Sequence, residues 1–143
     1  MKKFLLAALV LCLGFVGCDK DDNSENSKES IVGKWYMVND KGYYHDTDGE
    51  RVDYDDSYTK DNTQLYWEFF SDKTAIGTDL EDQDEPVYMN VTWKINGDKL
   101  IMNNNTAQSV TIKSLTATTL VTYESGIDED GKWEGTSTFK KFE

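Results

Sequence analysis

Near the middle of the chain, Val87-Tyr88-Met89-Asn90-Val91-Thr92-Trp93-Lys94-Ile95 alternates without a break. Its odd positions are Val, Met, Val, Trp and Ile, and its even ones are Tyr, Asn, Thr and Lys. A period of two puts one set on a core face and the other in solvent, which a strand does and a helix cannot. Leu65-Tyr66-Trp67-Glu68-Phe69 alternates in the same way, with Leu65, Trp67 and Phe69 inward. From residue 31 onward, turn signals divide the chain into eight expected strands: 31–38, 63–70, 74–79, 86–95, 99–103, 107–114, 118–125 and 132–142. Asn96-Gly97 is a strong hairpin signal because both residues tolerate positive φ. Ser71-Asp72-Lys73 and Thr116-Ala117 supply two more short links, and Asp130-Gly131 ends the loop before the last strand. The single proline, Pro86, opens a strand, where a missing N–H costs little. Successive strands with short links suggest an all-β, eight-stranded antiparallel up-and-down barrel, whose closure removes free edges. A β-sandwich is the alternative.

The chain begins differently. Lys2 and Lys3 precede an apolar run from Phe4 to Val16, then Gly17, Cys18 and Asp19-Lys20-Asp21-Asp22. A basic start, a short apolar core and a small residue at the cut form a secretory signal peptide, and the run is too short to span a bilayer of roughly 30 Å. Phe15-Val16-Gly17-Cys18 resembles a bacterial lipoprotein lipobox. That resemblance implies lipidation of Cys18 as the first mature residue and membrane attachment through the lipid. Cys18-Asp19-Lys20-Asp21-Asp22 is similar to the acidic export tag of surface lipoproteins in Bacteroidetes-type bacteria, which implies an outer-membrane, surface-exposed lipoprotein. The expected layout is a signal peptide over 1–17, a lipidated, acidic and disordered tether over 18–30, and one domain over 31–143.

Charge excludes several classes. The net charge is −12, and removing Lys2 and Lys3 with the leader takes it to −14 (−12 minus 2). That sign argues against nucleic acid and against lying flat on an anionic membrane; it favours a soluble, monomeric domain. The two cysteines are Cys12, lost with the leader, and Cys18, so the domain is expected to be held by packing, without disulfides. No cofactor motif is present.

Ile31-Val32-Gly33-Lys34-Trp35 matches the Gly-x-Trp signature of lipocalins. Trp67-Glu68-Phe69-Phe70-Ser71-Asp72-Lys73-Thr74, Val91 to Leu100, Ile112-Lys113-Ser114-Leu115-Thr116 and Leu120 continue the match. Together they resemble the small lipocalin-like domain of Bacteroidetes lipoproteins, over about residues 31–143. The resemblance implies structural roles for Gly33 and Trp35 and a basic residue from the last strand lying over that indole. Lys141, which shares parity with Phe139, is the candidate, with Lys140 next.

In such a barrel, alternate connections share an end. The 39–62 segment, expected to be a loop and lid, joins the 80–85 and 126–131 connections there. It carries Asp40, Asp46, Asp48, Glu50, Asp53, Asp55, Asp56 and Asp61, with Tyr43, Tyr44, Tyr54 and Tyr58 as contact candidates. One mouth is thus expected to be acidic and tyrosine-lined, with the tether at the opposite floor. Asp46-Thr47-Asp48-Gly49 and Asp128-Glu129-Asp130-Gly131 echo part of a calcium loop but lack its full spacing, so no metal site is assigned. The lone histidine, His45, is expected on an exposed loop. No nucleophile elbow, phosphate loop, dinucleotide fingerprint or zinc motif occurs, so the reading is non-enzymatic.

The inward candidates are Leu65, Trp67, Phe69, Ile76, Val87, Met89, Val91, Trp93, Leu100, Met102, Val110, Ile112, Leu120 and Phe139. An eight-stranded barrel is either filled by such side chains or holds one small ligand. The first outcome makes a surface module that binds protein or glycan through acidic, tyrosine-rich loops. The second makes a carrier of a small hydrophobic ligand, bound by Trp67, Phe69, Met89, Trp93 and Met102.

Overall fold

The computed structural model describes residues 31–80 and 85–143. The leader, Cys18 and the tether lie outside the described residues, as do Glu81, Asp82 and Asp84, which the sequence reading expects at the acidic mouth. The described residues form nine strands: β1 (Gly33–His45), β2 (Arg51–Ser57), β3 (Leu65–Phe69), β4 (Thr74–Asp79), β5 (Val87–Asn96), β6 (Lys99–Asn104), β7 (Thr106–Leu115), β8 (Thr119–Ile127) and β9 (Lys132–Lys141). All pairings are antiparallel. β1 and β3 to β9 follow one another around the sheet, and β1 pairs back onto β9. The result is a closed eight-stranded barrel plus one extra strand, not a sandwich.

The extra strand corrects the expected lid. β1 runs on to His45, turns at 46–50 and returns as β2, with Asn39 opposite Ser57 and His45 opposite Arg51. Further down the same edge, β1 pairs with β3, Tyr36 opposite Tyr66. β2 and β3 are therefore one descending line along β1, interrupted by the 58–64 insertion. The segment's charge density resembles a loop, but Tyr43, Val52 and Tyr54 are strand formers. A carboxylate closes its turn: Asp46 Oδ1 accepts the N–H groups of Asp48 (3.1 Å) and Glu50 (2.9 Å).

Alternate connections share an end, as antiparallel order requires. The 46–50 and 128–131 turns, Leu80, Pro86 and the Asn104–Asn105 link sit at the mouth. The turns at 70–73, 97–98 and 116–118 sit at the floor with Ile31. Two tryptophans seal that floor. Trp35 is wholly buried, donates Nε1–H to the Ile31 carbonyl at 2.7 Å, and has Lys141 Nζ 5.1 Å from its ring centroid. Gly33 admits this lysine: its φ is +126°, and a Cβ there would lie 2.6 Å from Lys141 Cε. Trp93 repeats the device, donating to the Phe70 and Thr74 carbonyls (3.2 and 3.0 Å) beneath Lys73 Nζ at 4.4 Å. A cation over an indole face adds stability beyond the area buried.

Two inward assignments need correction. On β4 the inner face carries Ala75 and Gly77, while Ile76 pairs with Glu68 and Asn90 on the outer face. The reason is space: a Cβ at Gly77 would lie 2.8 Å from Trp67 Cη2 and 2.9 Å from Met89 Cε. Only very small residues fit behind those side chains. Val87 keeps the inward phase of β5 but lies at the rim and is 54% exposed.

Trp35→Ala is expected to destabilise the domain by about 3–5 kcal/mol, a large core aromatic being lost. Lys141→Met, which keeps most of the aliphatic cover, is expected to cost about 0.5–2 kcal/mol. Urea unfolding monitored by circular dichroism measures both.

Candidate ligand cavity

The decisive local event is a β-bulge. Along β1, Trp35 and Met37 face inward opposite Lys141 and Phe139, but Asn39 then pairs with Thr138, leaving Val38 as an extra residue. An inserted residue reverses the phase of everything after it. Strict alternation from Trp35 would put Asn39, Lys41 and Tyr43 inside. The bulge instead sets Asp40 opposite Ser137 and Gly42 opposite Gly135 on the inner face. Asp40 is half-buried there and accepts a hydrogen bond from Ser137 Oγ at 2.9 Å.

The barrel interior is hollow above its floor. A cavity of about 170 Å³ is lined by Leu65, Trp67, Phe69, Leu100, Met102, Gln108, Val110, Leu120, Thr122, Glu124, Ser137 and Phe139. Larger grooves exist on the outer wall, one of about 500 Å³ beside Tyr36, Lys60, Lys140 and Phe142. They face solvent, whereas the interior cavity gathers aromatic side chains with a few polar groups, the usual make-up of a small-molecule site. At its base Trp67 and Phe69 stack at 5.8 Å and 24°, and Phe69 meets Trp93 edge-on at 5.8 Å.

The upper wall is polar. Tyr54, Gly42, Gly135 and Glu124 form one cross-strand row over β2, β1, β9 and β8. The missing side chains make the crossing possible: a Cβ on Gly42 would lie 1.9 Å from the Glu134 carbonyl oxygen, and one on Gly135 would lie 2.9 Å from the Tyr54 hydroxyl. Glu124 flanks the same spot and opens onto the cavity from its rim, where its side chain is partly covered and still exposed to solvent. Three of these groups titrate above their ordinary ranges. Burial raises Glu124, and the Asp40 charge raises it further. Burial also raises Asp40, partly offset by the Ser137 hydrogen bond. Tyr54 rises through burial and then the nearby Asp40 and Glu124 carboxylates. Desolvation and like charge both disfavour the ionised carboxylates.

Of the five residues expected to bind ligand, Trp67, Phe69 and Met102 line the cavity. Met89 sits behind Trp67 against Gly77, and Trp93 lies below as part of the floor. The four tyrosines divide. Tyr54 faces inward, and Tyr44 is 6.4 Å from it at the rim. Tyr43 is on the outer face with Arg51 stacked 3.8 Å above its ring. Tyr58 packs against the core from the 58–64 insertion. His45, expected on a loop, ends β1 half-buried, its Nδ1 donating to the Lys132 carbonyl at 2.6 Å. Both calcium-like segments are turns whose carboxylates serve their own backbone: Asp128 Oδ1 accepts from Asp130 and Gly131 at 3.1 and 3.0 Å. Among the described residues no group of three or more His, Cys, Asp or Glu side chains is placed to hold a metal ion.

With this geometry in place, residues 31–122 match the family described as the lipocalin-like domain. The chain belongs to that family. The lipocalin-like barrel is similar to a solved lipocalin-like protein from Bacteroides uniformis, with 12% identity and a TM-score of 0.52 over 79% of this chain and 99% of that one. Two further structures align over comparable lengths. An uncharacterized protein from Bacteroides eggerthii shares 11% identity at a TM-score of 0.47, covering 78% of this chain and 98% of that one. A bovine lipocalin allergen shares 16% at 0.48, covering 80% and 74%. No curated protein matches the chain. Gly33 and Trp35 of the floor lie within the match, which ends at Thr122 on β8, ahead of Glu124 and of Lys141.

The raised Glu124 carboxyl makes a pH prediction. Its folded pKa lies above its unfolded value, so its contribution to stability is full below the unfolded pKa and is lost as pH rises through the folded one. Glu124→Gln is therefore expected to be more stable than the parent at pH 7. The difference should vanish near pH 4 or below, where the glutamate is largely protonated in both states. Thermal melts of both proteins across that range are the check.

Proposed function

We propose that this chain is a lipid-anchored lipoprotein of the bacterial cell envelope whose lipocalin-like barrel binds a small hydrophobic ligand without catalysing a reaction on it. The observation that carries the reading is the cavity above the stacked Trp67–Phe69 pair. Its volume, about 170 Å³, is near that of an engineered cavity of about 150 Å³ that takes up benzene. Met102 in its wall is a flexible side chain that adapts to a guest. Anchoring is supported by the sequence ahead of the barrel, with its basic start, apolar run and Gly17-Cys18. It is also supported by the buried place of Ile31 at the floor. A lipid on Cys18 would hold the barrel from below and point its acidic mouth away from the membrane, in this reading outward from the outer membrane.

A second reading has its own support. The large apolar side chains most open to solvent are Tyr44 (46%), Val87 (54%), Tyr88 (65%) and Ile127 (83%), and all lie toward the mouth. An apolar rim among carboxylates suits contact with a protein or glycan.

Native mass spectrometry of the full chain, purified from its own host's envelope, separates the two. The carrier reading expects a co-purifying small molecule whose retention falls about tenfold or more in Trp67→Ala, as loss of a large apolar contact implies. A bare protein mass, with no thermal shift across a panel of small apolar compounds, would favour the rim. Labelling cells with an alkyne fatty acid tests the anchor, with incorporation expected in the parent and none in Cys18→Ser.

A further inference from the structure

The cavity is amphipathic along the barrel axis. Trp67, Phe69 and Met102 form its lower part, and Glu124 fronts it from β8. Asp40 stands behind Ser137, itself a lining residue. The Tyr54 hydroxyl closes over Gly135 between these groups. Asp56 adds negative charge from β2. Every ionisable side chain acting on Glu124 or Asp40 is thus acidic, and among the described residues no lysine or arginine is paired with either. Arg51 is committed to Asp53 at 2.6 Å, and Lys132 pairs with Glu134. Glu124 at the exposed rim and half-buried Asp40 repel each other with no counter-ion beside them. A cation arriving between them relieves that repulsion.

We propose that the ligand of this cavity is a compact amine, its apolar body against the Trp67–Phe69 stack and its ammonium group held by Glu124, with Asp40 as the second charge behind Ser137. This rests on the carrier reading above and specifies its ligand class. The ammonium supplies N–H donors, and the site offers carboxylate and hydroxyl acceptors at one end only. An aromatic body suits the stacked base, whose faces attract both rings and cations. A fatty acid would set its carboxylate against Glu124, so the same wall that selects amines rejects the anions of like size.

The test uses three phenyl probes of similar size with the full chain in detergent: 2-phenylethylamine, 2-phenylethanol and phenylacetate. Tryptophan fluorescence and calorimetry at pH 7 report binding. The amine is expected to bind at least about tenfold tighter than the alcohol, the scale of one charge-assisted hydrogen bond, and phenylacetate weakest. Glu124→Gln is expected to erase the amine's advantage over the alcohol. Circular dichroism and a thermal melt of the variant separate loss of the charge from loss of the fold. Amine affinity should also fall as pH drops and Glu124 and Asp40 are protonated. Equal binding of amine and alcohol, or tighter binding of phenylacetate, would overturn the amine assignment and leave the carrier reading standing. Failure of all three probes to bind a folded protein would overturn both.

Discussion

The barrel depends on β1 being paired along both edges. One edge meets β9 from Trp35 to Tyr43, which closes the sheet. The other meets β3 near the floor and β2 near the mouth. A closed sheet has no free end to fray, and its interior positions are fixed by register. The Trp35 ring, anchored by the Ile31 carbonyl and covered by Lys141, plugs the bottom of that closure. Every higher layer of side chains is stacked on it.

Whether this barrel is filled or hollow has a different answer at each height. Trp35, Trp93, Ile95 and Leu100 fill the lower layers, all buried to within a few per cent. Above Phe69 the interior opens into the cavity, while on the β4 side the room left by Ala75 and Gly77 is taken up by Trp67 and Met89. The change in packing accompanies a change in chemistry. Aromatic side chains and methionine give way to Thr122, Gln108, Ser137 and Glu124 in the same lining. Polar groups in such a wall weaken the isolated domain, and sites that bind commonly carry that kind of local cost.

The alternation of 87–95 and 65–69 was enough to identify the strands, because half-buried strands must separate apolar from polar faces. The Asn96-Gly97 turn was equally plain, Gly97 taking a φ of +60°. The cavity's acidic side was harder to read. Asp40 is inside only because Val38 bulges, and an extra residue in a ladder leaves no mark on hydropathy. Gly42 and Gly135 were the available signal: glycines within strands mark a close approach of other groups, here the Tyr54 hydroxyl. Glu124 shares the parity of Leu120, so alternation alone carries it inward, but a reading confined to apolar residues leaves it out. The β1–β2 hairpin was obscured by its own charge, since Asp53, Asp55 and Asp56 are rare in strands.

That hairpin leaves one strand outside the closed ring. β2 pairs with β1 alone, so its far side is the kind of open ladder edge on which a second molecule can add a strand. Arg51, Asp53, Asp55, Asp56 and Ser57 all stand exposed along it, and three carboxylates on so short a strand would face their own copies in any edge-to-edge pairing. The acidity of this end therefore guards the surface against such pairing. At high local concentration the chain would otherwise present each of its copies with an edge on which to zip together.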